Sequence, residues 1–251
     1  MHMKTIRKWV LDIFFPRKCL GCASLLREEA LSYVCAQCLK KIPLAAGFAC
    51  AFCNSPVRAG KTCPYCVRNH SLDHLLVTSS YENPLVEKIV KTLKYRFVAS
   101  LAEDMAGLMA RYLKKKAAWL VDTKGIIVVP VPLHYSRLNW RGFNQAEIIG
   151  SNIAKSFDWQ LATDAIKRIC NQKPQADMPD RLSRIKNMHK AFKCTSSDSL
   201  INKAILLIDD VSATGSTLND CARALKDAGA RQVIGFVFAR GRLNRKTNGL
   251  V

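Results

Sequence analysis

From residue 75 onward the apolar positions follow two alternating patterns. Leu75–Tyr81, Ile126–Val131, Ala204–Ile208 and Gln232–Ala239 are short runs dense in branched apolar and aromatic residues, as buried strands require. Between them apolar residues recur at helical spacing. Pro84–Arg96 puts Leu85, Ile89 and Leu93, with Val86 and Val90, on one face. Leu101–Lys116, Asn144–Phe157 and Ser216–Ala228 read as further helices, the last stopped by Gly229. Strands alternating with such helices predict an α/β fold, a parallel sheet flanked by crossover helices. An Arg-containing loop is expected between Val131 and Asn144, where Asn144 serves as an N-cap. Residues 171–190 are polar, carry Pro174 and Pro179, and read as a long excursion, the kind of segment that forms a lid. Arg181, Arg184, Lys186 and Lys190 make it basic.

Ahead of residues 69–75 the pattern changes. A short amphipathic helix at residues 3–15 leads into a Cys-rich segment punctuated by Gly and Pro, with no long periodic stretch. The division predicted is a small module at residues 1–70 and an α/β domain at 71–251. The apolar run Trp9–Phe15 is interrupted by Asp12 and is far shorter than the ~20 residues that cross a bilayer. No small-residue cleavage site follows it, so an export signal is not expected and the cytoplasm is.

Cysteine spacing identifies the chemistry of the small module. Eight of the eleven cysteines form four Cys-x-x-Cys pairs: Cys19/Cys22, Cys35/Cys38, Cys50/Cys53 and Cys63/Cys66. A two-residue gap lets one tight turn present both sulfurs to a tetrahedral ion, so two pairs make a closed four-cysteine zinc site. In a reducing compartment such pairs mean metal more often than disulfides. One or two structural zinc ions are expected, supplying folding energy that so small a segment lacks. Sequential pairing is favoured over a cross-braced arrangement; iron–sulfur ligation is the competing chemistry. His70 and His74 flank the module as alternative ligands, and Cys221 reads as a core residue.

Charge adds a partner class. The chain carries 39 Lys and Arg against 19 Asp and Glu, a net charge of +20, and both modules are basic. Such surfaces gain from counterion release on polyanions, which favours nucleic acid. Arg17, Lys18, Lys40, Lys41, Arg58 and Lys61 lie in the ribbon segment, and Tyr65, Trp140 and Phe143 are candidate stacking rings for single-stranded DNA.

The densest functional signal runs from Ile205 to Thr217. A buried strand ends in Asp209 and Asp210, and Val211, Ser212, Ala213, Thr214, Gly215, Ser216 and Thr217 then lead into a helix. Backbone N–H groups at a helix start bind anions, the hydroxyls add donors, and Gly215 permits close approach. Carboxylates suit a vicinal diol and repel phosphate, so they stand apart from the loop. This segment resembles the phosphoribosyl pyrophosphate (PRPP) motif of type I phosphoribosyltransferases. That resemblance implies Asp209 and Asp210 as the catalytic pair on the ribose and Val211–Thr217 as the phosphate ligands. The segment from Pro130 to Gln145, reading PVPL, then Arg137, then RGFNQ, completes a wider likeness with Lys94-Tyr95, Arg184, Asn187 and Ala191-Phe192. Together with the cysteines these resemble the ComF family, also called competence protein F-like. The family resemblance implies a double zinc ribbon before a type I phosphoribosyltransferase-like domain. It also implies Arg137 and Arg141 on pyrophosphate, Mg²⁺ bound with PRPP, and a role in DNA uptake and natural transformation. Single-stranded DNA and competence or helicase proteins are the partners it implies. An active phosphoribosyltransferase with an unidentified acceptor is the alternative.

Overall fold

The computed structural model of the chain describes residues 17–26, 32–96, 98–169, 191–195 and 198–241. The helix expected at 3–15, the excursion at 171–190 and Cys170 lie outside the described residues. One short helix, α1 (Ala36–Lys41), belongs to the Cys-rich segment. Then follow β1 (His74–Ser80), α2 (Pro84–Tyr95), α3 (Ser100–Lys116), α4 (Ala118–Val121) and β2 (Ile126–Pro130). The chain continues through α5 (Tyr135–Arg141), α6 (Gln145–Phe157), β3 (Gln160–Leu161), β4 (Ile166–Arg168) and β5 (Phe192–Cys194). It closes with β6 (Ala204–Ser212), α7 (Ser216–Asp227) and β7 (Gln232–Arg240).

Five strands form one parallel sheet in the order β1-β7-β6-β2-β3, while β4 and β5 make a separate antiparallel pair. The α/β expectation holds. Because side chains alternate across a strand, the sheet divides into two cores. Leu206 and Ile208 of β6 pack with α2, α3 and α6, whereas Ile205 and Leu207 pack with α7 and the β4–β5 pair. Helix α2 starts where the sequence places it: Pro84 needs no N–H at the first position, and Asn83 Oδ1 accepts from the amides of Leu85 and Val86.

The crossovers fix where a ligand can enter. From β6 the chain steps through α7 to β7 on one side; from β2 it steps through α6 to β3 on the other side and opposite face. The gap between β6 and β2 is therefore a topological switch point, and its crevice opens at the carboxyl ends of these strands. β2 stops at Pro130, whereas β6 runs on beside β7 to the pair Ser212↔Arg240. Within the sheet, residues 209–212 are thus held on one flank only.

Two expectations are corrected. The middle of the stretch after β2 is not loop but the helix α5. His134 accepts from the Ser136 amide at its start, and Gly142 ends it at φ 75°. It has no buried residue, so no apolar period marks it in the sequence. Strand β6 extends past Ile208 through both acids to Ser212, because β7 supplies ladder partners that far.

The Cys-rich segment packs into both cores. Cys19, Val34, Cys38 and Ile42 join the α2–α3 core, and Ala51 joins the α7 core. Ser32 Oγ donates to Asp104 Oδ2 at 2.6 Å, and Lys88 Nζ donates to the Leu20 carbonyl at 2.8 Å.

Candidate functional site: two cysteine clusters and a strand-end acid pair

The cysteines resolve into two sequential sets. Cys19, Cys22, Cys35 and Cys38 form one cluster and Cys50, Cys53, Cys63 and Cys66 the other, with the sulfurs of each set within 4.8 Å of one another. A tetrahedral ion with Zn–S bonds of about 2.3 Å spaces its sulfurs about 3.8 Å apart. Cys22 and Cys35 stand at 3.8 Å, and Cys53 and Cys63 at 3.6 Å. Both sets fit zinc, and with four sulfurs each they leave no open position, which makes them structural. Amides of Gly21 and Cys35 point at Cys19 Sγ from 3.4 and 3.2 Å, as donors to a thiolate do. Hydrogen bonds from Ser24 and Ser55 bring the Cys22 and Cys53 thiols down to about 6. The histidines stay outside both clusters. His70 Nδ1 lies 2.8 Å from the Cys66 carbonyl and its ring stacks on Phe52 at 3.5 Å, while His74 Nδ1 meets the Ala59 carbonyl.

Asp209 and Asp210 stand at the switch point, at the carboxyl end of β6. Strand alternation sends them to opposite faces. Asp210, 5% exposed, turns to the α2 side, where Lys94 Nζ meets its Oδ1 at 2.9 Å. Asp209 lies near Cys221 of α7 and accepts the Asp210 amide at 2.8 Å. Burial at the strand end pushes the Asp209 carboxyl up to about 7, and repulsion by Asp210 adds to it. Cys221 is fully buried, as the sequence suggests, and burial raises its thiol.

The phosphate-type loop follows directly. Val211 and Ser212 finish β6, Ala213 and Thr214 are exposed, and Gly215 turns at φ 78° before α7 begins at Ser216 and Thr217. Thr214 Oγ1 and Ser216 Oγ stand 3.0 Å apart. The loop is backed by the second cysteine cluster: a Cβ at Gly215 would come within 3.4 Å of the Ala51 carbonyl and the Phe52 ring. Arg240, at the end of β7, fixes that contact by donating to the carbonyls of Cys50 at 3.2 Å and Ala51 at 2.6 Å. Sequence reasoning missed Arg240, since nothing local marks its partner.

Across the crevice, Arg141 faces both acids. Its Nη1 donates to Gln145 Oε1 at 3.2 Å, while Arg141 Nε and Gln145 Nε2 are buried without a hydrogen-bond partner among the described residues. Orphaned buried donors are costly, and a ligand oxygen would satisfy them. Burial lowers the pKa of the Arg141 and Arg168 guanidinium groups, and the exposed Arg137 lowers both further by repulsion. Arg137 thus lies close enough to repel both Arg141 and Arg168, and guanidinium groups gathered in this way suit a multiply charged anion. Arg168 on β4 was not legible as part of this group. Asn144 is an N-cap, accepting from the Ala146 amide and donating to the Val131 carbonyl. Of the candidate stacking rings, Phe143 packs against the core, whereas Trp140 and Tyr65 are exposed. A cleft of about 930 Å³ opens between the second cluster and the ends of β1 and β7, lined in part by Phe48, Phe52, Asn54 and Arg240, but neither acid borders it.

Comparison with known proteins matches this layout. Residues 10–67 match the double zinc ribbon domain and residues 144–247 the phosphoribosyl transferase domain. Competence protein F of Haemophilus influenzae is 25% identical over 90% of this chain and 98% of its own length. Competence protein ComFC of Bacillus subtilis is 27% identical over 85% of each chain, and DNA utilization protein YhgH of Escherichia coli K12 is 28% identical over 83% of this chain and 96% of its own. Among solved structures, a hypoxanthine phosphoribosyltransferase of Staphylococcus aureus aligns over 60% of this chain and 70% of its own, at 16% identity and a TM-score of 0.36. No helix among the described residues is long and apolar enough to cross a membrane. With two clusters of four cysteines ahead of a parallel sheet, and relatives named competence protein F and ComFC aligned over most of its length, the chain carries a double zinc ribbon domain followed by a phosphoribosyl transferase domain.

Proposed function

We propose that this protein acts in DNA uptake, and that its strand-end pocket holds a phosphoribosyl ligand carrying pyrophosphate, PRPP or a close relative. The observation that carries the pocket reading is the opposition of unlike groups across one switch point. Acids stand on β6, hydroxyl and amide donors stand on the loop after it, and orphaned donors of Arg141 and Gln145 stand across the crevice. A sugar diol, a 5′-phosphate and a pyrophosphate require these three surfaces. In this reading Asp209 and Asp210 accept from the ribose, Val211–Thr217 surround the phosphate, and Arg137 and Arg141 take the pyrophosphate.

The oxygen donors also fit magnesium, but only as a shared ion. Lys94 already neutralises Asp210, so the carboxylates form no all-protein cage, and Mg²⁺ would be held chiefly by ligand oxygens. There it would offset the charge of the pyrophosphate. The DNA role is supported by the names of the relatives and by the net charge of +20, which favours single-stranded DNA and DNA-bound competence or helicase proteins as partners. The division into residues 1–70 and 71–251 and a cytoplasmic site of action belong to the same proposal.

The test is transformation of a naturally competent host whose own copy is deleted. Complementation with the wild-type chain restores transformants, and the Asp209→Ala/Asp210→Ala chain at equal abundance leaves them at the deletion level. Full restoration by that variant would show that the pocket is not required.

A further inference from the structure

The rim beside the acid pair exposes two large rings in mutual contact. Tyr95 ends α2 and Trp140 lies in α5; their centroids are 6.3 Å apart and their planes meet at 66°. Even so, Tyr95 is 63% exposed and Trp140 57% exposed. Rings of this size ordinarily find a core, because burial of their apolar area is strongly favourable. Each ring is also the chain neighbour of a cation that faces the acids. Lys94 precedes Tyr95 and pairs with Asp210 at 2.9 Å. Arg141 follows Trp140, and its guanidinium lies 5.9 Å from the ring centroid. The exposed Arg96 follows Tyr95, and the exposed Arg137 lies one helical turn before Arg141. Aromatic faces and positive charge therefore interleave along one rim.

We propose that this rim binds single-stranded DNA, with bases stacking on Tyr95 and Trp140 and phosphates meeting Arg96 and Arg137. The inference rests on the phosphoribosyl reading of the pocket and adds where the DNA lies relative to it. A nucleotide within a DNA strand has no 2′-hydroxyl and carries a phosphodiester on its 3′-oxygen. Such a nucleotide offers Asp209 and Asp210 no diol to accept from, so the strand stays on the rim and outside the crevice. Stacking accepts any base, and the cations follow the backbone, so binding is sequence-tolerant and weakens with salt. A duplex keeps its base faces covered and gains nothing from the rings.

Fluorescence anisotropy of a labelled oligothymidylate, titrated with the full-length chain, tests this. Zinc content and PRPP titration run alongside as checks of folding. Tyr95→Ala and Trp140→Ala are each expected to raise Kd by roughly five- to tenfold or more, and the double variant further. Tyr95→Phe and Trp140→Phe keep a ring and should retain most of the affinity. If the wild-type chain binds the oligonucleotide and the double alanine variant binds it equally well, the rim is not the site, while the pocket reading and the DNA role stand. Should the wild-type chain bind no single-stranded DNA, the rim and the DNA arm of the proposed function fall together. If the alanine variants lose zinc or PRPP binding, the phenylalanine variants decide: retained affinity supports stacking, and its loss overturns it.

Discussion

A Cys50→Ser/Cys53→Ser chain is expected to release one zinc ion and to lose phosphoribosyl binding with it, whereas Cys19→Ser/Cys22→Ser releases an ion and leaves the pocket working. The asymmetry follows from what each cluster touches. The loop between Cys50 and Cys53 carries Ala51 and Phe52, which lie against Gly215 in the phosphate-type loop, and Arg240 grips the Cys50 and Ala51 carbonyls from the end of β7. The first cluster rests instead on α2 and α3, through Lys88 and through Ser32 with Asp104. A structural zinc contributes about 10–16 kcal/mol of apparent binding free energy, more than a small ribbon can lose and stay folded. Without the second ribbon, the small-residue loop loses its backing and the order that anion binding needs. Metal release by a chromogenic chelator and PRPP titration by calorimetry measure both effects. Undiminished PRPP affinity in the Cys50→Ser/Cys53→Ser chain would show that the ribbon does not organise the loop.

Asp209→Asn should make the protein more stable above neutral pH and a poorer ligand binder. The folded carboxyl titrates at about 7 against an ordinary 3.8, so the native state holds this proton more tightly than the unfolded chain does. Its contribution is therefore most favourable below about pH 4 and declines as pH rises from about 4 to about 7. The amide keeps the bond from the Asp210 N–H and removes that decline. Urea unfolding at pH 8 should show a gain of about 1–3 kcal/mol, which vanishes near pH 4. Ligand affinity moves the other way. In the wild type it should rise with pH up to about 7, as the carboxylate becomes a pure acceptor. Hydrogen bonds to a charged group contribute about 1.5–3 kcal/mol each, so Asp209→Asn/Asp210→Asn should weaken PRPP binding by about 100-fold or more. Equal stability of Asp209→Asn and wild type at pH 8 would mean that the acid is not strained by its surroundings.

Much of this site is written in local sequence. The metal sites are legible because ligand spacing is itself the chemistry, and the structure adds only the sequential grouping. The acid pair and the loop after it are legible because a buried strand, two carboxylates and small residues leading into a helix each announce a neighbour's conformation. What the sequence does not show depends on partners brought in by the sheet. Arg240 meets Cys50 and Ala51 from the far end of the chain, and Arg168 joins Arg137 only because β4 folds back beside α7. Lys94 could be singled out by resemblance, but its hold on Asp210 follows from α2 covering the same face as the even-numbered residues of β6. Helix α5 escapes periodicity because all its residues stay out of the core, and β3 to β5 are too short for any period to register. Division of the acids between two faces follows from β6 continuing as a strand through both of them to Ser212 instead of stopping at Ile208.

The sheet ends on one side at β1, which among the described residues has β7 as its only strand neighbour in the main sheet. Its other side is covered by the ribbon segment: the Ala45 amide donates to the Thr78 carbonyl, the Thr62 amide to the Asp73 carbonyl, and Lys61 bridges His74. Gly60, at φ 71°, passes so close that a Cβ there would strike the Leu75 carbonyl. An open strand edge with Leu75 and Leu76 beside it is a template for pairing with another chain. Removal of metal from the ribbon is therefore expected to uncover this edge for pairing with a second copy of the chain, read as a larger species in size-exclusion chromatography after chelation.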